Sequence, residues 1–181
     1  MRAGRGGRLL VVIGLAFVAW SGCFDSDREA GAGAKESREA APALDLPLLD
    51  GGRIALSEHR GQTIILDFWA TWCRPCEVQM PVLDELWRDR DRAARDLMIV
   101  GVSVDTDPPS KVAEWIAERG FAYPIAIGDQ DLAMQYGIFG FPTLVVIDPG
   151  GAIHTRHTGV WSRPEIESVL DQIRTEGLGE G

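Results

Sequence analysis

The feature that most constrains this chain is a pair of cysteines placed where a buried strand should meet a helix. Thr63 to Ala70 reads TIILDFWA, apolar on both faces except for Asp67, which predicts an interior strand. Cys73-Arg74-Pro75-Cys76 follows closely. From about Arg74 to Arg95 the apolar residues Val78, Val82, Leu83 and Leu86 recur at helical spacing, and Pro81 should kink that helix. With Cys73 at the helix N-terminus and Cys76 one turn on, their Cα atoms would lie about 5–6 Å apart, a span a disulfide can close. The positive end of the helix and its free N–H groups favour a thiolate, so Cys73 is expected to be the attacking group. Arg74 adds a cation that acts in the same direction, and Pro75 suits the first helical turn and stiffens it. A pair spaced this closely closes too small a loop to stabilise much, which favours redox use over a structural staple.

The rest of the chain predicts strands and helices in alternation. Asp50-Gly51-Gly52 marks the turn of a hairpin within Leu46 to Leu56. Leu97 to Val104 is a second buried strand and Lys111 to Arg119 a helix that Gly120 stops. Ile125 to Ile127 is a short strand, and Asp129 caps a short helix ending before Gly137. Thr143 to Ile147 and Ala152 to Thr158 flank Asp148-Pro149-Gly150-Gly151 as a second hairpin. Ser162-Arg163-Pro164-Glu165 opens a last helix reaching about Arg174. The expected fold class is α/β, a mixed central sheet with helices on both faces.

The N-terminus reads as an address. Arg2, Arg5 and Arg8 precede the apolar run Leu9–Trp20, and small residues lead to Cys23. Residues 1–22 are therefore expected to be a signal peptide or an uncleaved signal anchor. Residues 23–43, rich in Ala, Gly, Ser, Glu and Arg, read as a flexible tether. The folded domain is placed at 44–175, and 176–181 should be a disordered tail.

At Asp67-Phe68-Trp69-Ala70-Thr71-Trp72-Cys73-Arg74-Pro75-Cys76 the sequence resembles the active-site segment of the thioredoxin superfamily. Pro81 matches that family's helix-kinking proline, and Phe141-Pro142-Thr143 its cis-proline loop. The leading hairpin and the helix–strand insertion at 111–127 resemble the TlpA/ResA branch of exported, anchored reductases linked to cytochrome c maturation. The resemblance implies a thioredoxin-like fold and a thiol–disulfide oxidoreductase. Its clients would be disulfide-containing exported proteins such as apocytochrome c. Its electrons would come from a membrane thiol donor, and it would sit on the periplasmic side of the cell envelope. Trp20-Ser21-Gly22-Cys23 resembles a bacterial lipobox, which makes Cys23 the candidate lipidation site.

Roles follow from chemistry. Cys73 attacks a partner disulfide, and Cys76 resolves the mixed disulfide. Asp67, raised in pKa by burial, is the candidate acceptor of the Cys76 proton. Trp72, Phe141, Pro142 and Thr143 are the candidate substrate-binding residues, with Phe141 offering backbone groups to an extended chain. No nucleotide, flavin or metal is implied: C-x-x-C supplies two ligands, and His154 and His157, three apart on a strand, face opposite sides. Without the three leading arginines the chain carries 15 basic against 27 acidic side chains, which does not suit nucleic-acid binding. Two other readings stand beside the reductase. One is a non-catalytic binding or copper-relay module. The other is a peroxidase of the peroxiredoxin type, which would place threonine three residues before its cysteine; Thr71 is two before Cys73.

Overall fold

The computed structural model describes residues 38–93 and 96–178, so the leader, Cys23 and most of the tether lie outside the described residues. In chain order the elements are β1 (Asp45–Pro47), β2 (Arg53–Ala55), a short 3-10 helix (Leu56–His59), β3 (Thr63–Trp69), α1 (Arg74–Ala93), β4 (Leu97–Ser103), α2 (Pro109–Arg119), β5 (Ile125–Ile127), α3 (Gln130–Gln135), β6 (Thr143–Ile147), β7 (Ile153–Thr158) and α4 (Arg163–Leu178).

β1 and β2 form the first hairpin as a separate two-stranded sheet. The other five strands form one mixed sheet in the order β5-β4-β3-β6-β7. β3 runs parallel to β4 and antiparallel to β6. β3 is therefore central, which is why its sequence is apolar on both faces. Successive residues of a strand point to opposite sides: Trp69 meets Trp115 of α2 at 5.0 Å between ring centroids, while Phe68 meets Tyr136, after α3, at 5.3 Å. Helices thus cover both faces of the sheet.

The stops and caps follow local chemistry. α2 begins at Pro109, two residues before the sequence expectation, because proline suits a first helical position. Gly120 ends it at φ 69°, its N–H bonded to the Ile116 carbonyl at 3.0 Å. Asp129 caps α3 by accepting from Leu132 N–H at 2.7 Å. At the start of α4 Glu165 accepts from Ser162 N–H at 2.9 Å.

Both ends of the folded region reach further than the sequence places them. Ala41 N–H donates to the Gly151 carbonyl at 3.0 Å, and Ile153 N–H to that of Glu39 at 2.7 Å, so residues 39–41 of the expected tether run against the start of β7. Tyr136 donates its hydroxyl hydrogen to the Pro42 carbonyl at 2.7 Å. At the other end, helix continues past 175 to Leu178, where Glu176 pairs with Arg38 at 2.7 Å. Low apolar content hid the first segment: it is secured by backbone hydrogen bonds and the Arg156–Glu39 ion pair, with Ala41 packed against the core. At the opposite margin, Leu49 N–H donates to the Ile125 carbonyl at 2.9 Å, laying the first hairpin on the edge of β5.

Candidate functional site

β3 delivers the chain to the C-terminal end of the central strand, and a turn with Cys73 N–H bonded to the Ala70 carbonyl at 3.0 Å hands it to α1. Cys73 and Cys76 are joined as a disulfide, Cα atoms 5.3 Å apart. Cys73 Sγ lies 3.3 Å from the nitrogen of Cys76, whose first-turn N–H is shared with the Cys73 carbonyl at 3.1 Å and would support a thiolate there. Cys73 retains 5% exposure and Cys76 none, so only the first is within reach of a partner.

The disulfide opens onto a groove of about 500 Å³ lined by Trp72, Cys73, Arg74, Pro75, Phe139, Gly140 and Phe141. The Phe141–Pro142 peptide bond is cis. Trp72 meets Phe141 edge-on at 5.8 Å. Trp72 is 63% exposed and Phe139 91%, a large apolar rim for a soluble surface. Phe139 was not among the candidates from sequence, although its place two residues before the loop marks it as a neighbour.

Thr143 is placed differently from its neighbours. Its side chain is buried, and it donates to the Gly140 carbonyl at 2.8 Å. That leaves it to accept from Thr158 Oγ1, also at 2.8 Å. Thr143 therefore braces the loop from beneath, and its hydroxyl does not face the groove. Pro142 is likewise buried, while Arg74 and Pro75 are exposed at the rim.

Asp67 is fully buried in the middle of β3. Desolvation pushes its carboxyl up from 3.8 to about 7, and a 3.3 Å hydrogen bond from the Tyr123 hydroxyl pulls against that rise. Its Oδ1 has no partner among the described residues. Tyr123 was not found from sequence; its signal is a hydroxyl-bearing aromatic at the entry to a buried strand, where the O–H needs a partner.

A second carboxylate grips the segment ahead of the cysteines. Asp105, just beyond β4, accepts from Thr71 N–H, Thr71 Oγ1 and Ser103 Oγ. Behind them Arg119 lies 3.6 Å over the Trp115 ring and pairs with Glu77 of α1 at 3.6 Å. On α1, Gln79 is buried and accepts from Trp161 N–H at 2.6 Å, tying the turn after Cys76 to the entry of α4. The histidines stand apart from the cysteines in their contacts: His59 bonds Gln62, and His157 stacks on Trp161 at 4.6 Å.

Comparison with known proteins gives one consistent picture. The model of the AhpC/TSA family matches residues 38–156. A thiol-disulfide oxidoreductase ResA of Geobacillus kaustophilus is 33% identical over 135 residues, 74% of this chain and 76% of its own. The ResA of Geobacillus thermodenitrificans is 29% identical over 167 residues, 92% of this chain and 91% of its own. Among solved structures, a thioredoxin-family thiol:disulfide interchange protein of Chlorobium tepidum superposes with a TM-score of 0.66 at 25% identity, covering 77% of this chain and 99% of that one. The chain belongs to the AhpC/TSA family, with a thioredoxin-like fold.

Proposed function

We propose that this thiol–disulfide oxidoreductase works as a reductant of disulfides in exported proteins, with apocytochrome c as its client. The observation that carries the reading is the Cys73–Cys76 pair at the N-terminus of α1, one sulfur at the floor of an open groove and the other sealed behind it.

Cys73 thiolate attacks one sulfur of the client disulfide, and the other client sulfur leaves as a thiolate. Cys76 gives its proton to the Asp67 carboxylate and attacks Cys73 Sγ, which expels the second client sulfur. Two electrons pass to the client and the Cys73–Cys76 disulfide remains. A membrane thiol carrier then reduces it and returns the enzyme to its dithiol form. Asp67 suits this role because its pKa near 7 leaves it able to hold or release a proton close to neutrality. Trp72, Phe139 and Phe141 receive apolar side chains around the client cysteine, Phe141 offers backbone groups to it, and Arg74 with Pro75 tunes the Cys73 thiolate. The basic leader and the apolar run after it support export to the periplasmic side. Cys23 then serves as the lipid attachment point that holds the protein at the membrane.

The test is the reduction potential of the protein, by equilibration with dithiothreitol or glutathione and reading of tryptophan fluorescence. A potential near or below about −250 mV is expected of a reductase fed by a membrane donor. A value near about −120 mV makes it an oxidant and overturns the direction. A pair that does not exchange leaves a binding module.

A further inference from the structure

Among the described residues one side chain hydrogen-bonds the Asp67 carboxyl group, and it comes from outside the strand–cysteine–helix unit. Tyr123 precedes β5 and is itself buried. Its hydroxyl lies 3.3 Å from Asp67 Oδ2, and Asp67 Oδ1 has no partner among the described residues. The ring gets there because of a glycine. Gly101 on β4 is the register partner of Asp67, and a Cβ on it would come within 3.1 Å of Tyr123 Cε2 and 2.7 Å of Ile125 Cδ1. A side chain at 101 would thus crowd the ring whose hydroxyl reaches the acid.

The direction of the hydrogen bond is fixed. Burial first, then the charge of Asp67, raise the Tyr123 hydroxyl well above its ordinary 10, so it stays protonated and donates throughout the working range. The neighbours of Asp67 across the sheet, Gly101 on β4 and Leu144 on β6, do not titrate. From α1, Asp84 acts on Tyr123 and raises it further. The cysteines at the start of α1 are joined as a disulfide here and become titratable only once reduced.

We propose that Tyr123 is the positioning residue of Asp67, fixing Oδ2 by its hydrogen bond and leaving Oδ1 as the oxygen that takes the proton. The proposal rests on the reading that Asp67 accepts the Cys76 proton. It gives the helix–strand insertion a part in the chemistry: the insertion supplies the group that sets how readily the acid ionises.

The experiment is carbon-13 NMR of aspartate labelled at the side-chain carboxyl in the whole protein, with the Asp67 signal assigned by its loss in Asp67→Asn. Tyr123→Phe keeps the ring and removes the donor. The Asp67 midpoint should move to higher pH by about one unit, a tenfold change in ionisation. An unmoved or lowered midpoint overturns the proposal. In case that variant does not fold, 3-fluorotyrosine, a more acidic donor, replaces both tyrosines. Tyr136 bonds the Pro42 carbonyl and not Asp67, so the Asp67 midpoint should fall, and a midpoint that rises or stays overturns the proposal. The pH profile of Cys76 alkylation in Cys73→Ser, with and without Asp67→Asn, tests the underlying reading separately. If Asp67→Asn leaves that profile unchanged, the proton-acceptor role fails even where the NMR midpoint responds to Tyr123.

Discussion

Thr71 is held twice by Asp105: its hydroxyl donates to Oδ1 at 2.6 Å, and its N–H lies 3.1 Å from both carboxylate oxygens. Thr71 immediately precedes Trp72 and Cys73, so this carboxylate sets where the groove's tryptophan starts. Asp105→Ala should lower stability by about 2 kcal/mol in urea unfolding, the size of lost hydrogen bonds to a charged acceptor. It should also raise KM for a protein disulfide several-fold. Asp105→Asn, which keeps an acceptor oxygen, should lose less than half as much. Equal losses in the two variants would mean that the charge, and not the acceptor, matters.

Asp67 makes the fold sensitive to pH in an unusual direction. Its folded value is about 7 against an ordinary 3.8. Between those values the folded chain keeps a proton that the unfolded chain has released, so its contribution is full below about pH 4 and is lost as pH rises through 7. The loss amounts to about 4 kcal/mol by pH 8. Asp67→Asn should therefore be more stable than the parent at pH 8 and close to it at pH 4. Urea curves at four pH values, both proteins oxidised, check this; parallel pH dependences would refute it.

Gly101 has little room for a side chain. A Cβ there would lie 2.7 Å from Ile125 Cδ1, 3.0 Å from Trp69 Nε1 and 3.1 Å from Tyr123 Cε2. Gly101→Ala should cost about 1–3 kcal/mol through overpacking. It should also change near-ultraviolet circular dichroism, because Trp69 and Tyr123 must both shift. An unchanged aromatic spectrum with full stability would show that the neighbours yield freely.

Cys76 is sealed and Cys73 is not, so the two should fail differently. Cys76→Ser should accumulate a mixed disulfide between Cys73 and a client, visible by mass spectrometry and released by dithiothreitol. Cys73→Ser should form none. Mixed disulfides through Cys76 in the second variant would reverse the assigned order of attack.

The exposed rim should matter for proteins and hardly at all for small thiols. Trp72→Ala together with Phe139→Ser should lower kcat/KM for a disulfide-containing protein about tenfold, equivalent to about 1.4 kcal/mol. The rate of reaction with dithiothreitol should change less than twofold. Equal effects on both would place the loss in the cysteines' own environment.

Much of this site is legible before folding because its parts are local. The strand, the cysteine spacing and the helix start all lie within residues 63–76, and Asp67 declares itself as the one acid in an apolar run. The groups that hold those parts come from far along the chain and have no local pattern. Asp105 is 34 residues from Thr71, and Tyr123 is 56 from Asp67. Their partnership follows from β4 lying between β3 and β5 in the sheet order, which alternation alone does not specify. Thr143 shows the same limit in reverse: sequence puts it in the loop, but only the pairing of β6 with β7 turns its hydroxyl toward Thr158.

The segment from Glu39 to Leu49 touches both margins of the five-stranded sheet, the start of β7 with its first residues and β5 with its last. Unpaired strand edges are where chains recruit one another. A fragment cut at Leu44, the boundary that composition recommends, would strip the cover from one margin while keeping every catalytic atom. Such a fragment should be active yet prone to self-association, so soluble versions for crystallisation or assay are better begun before Arg38.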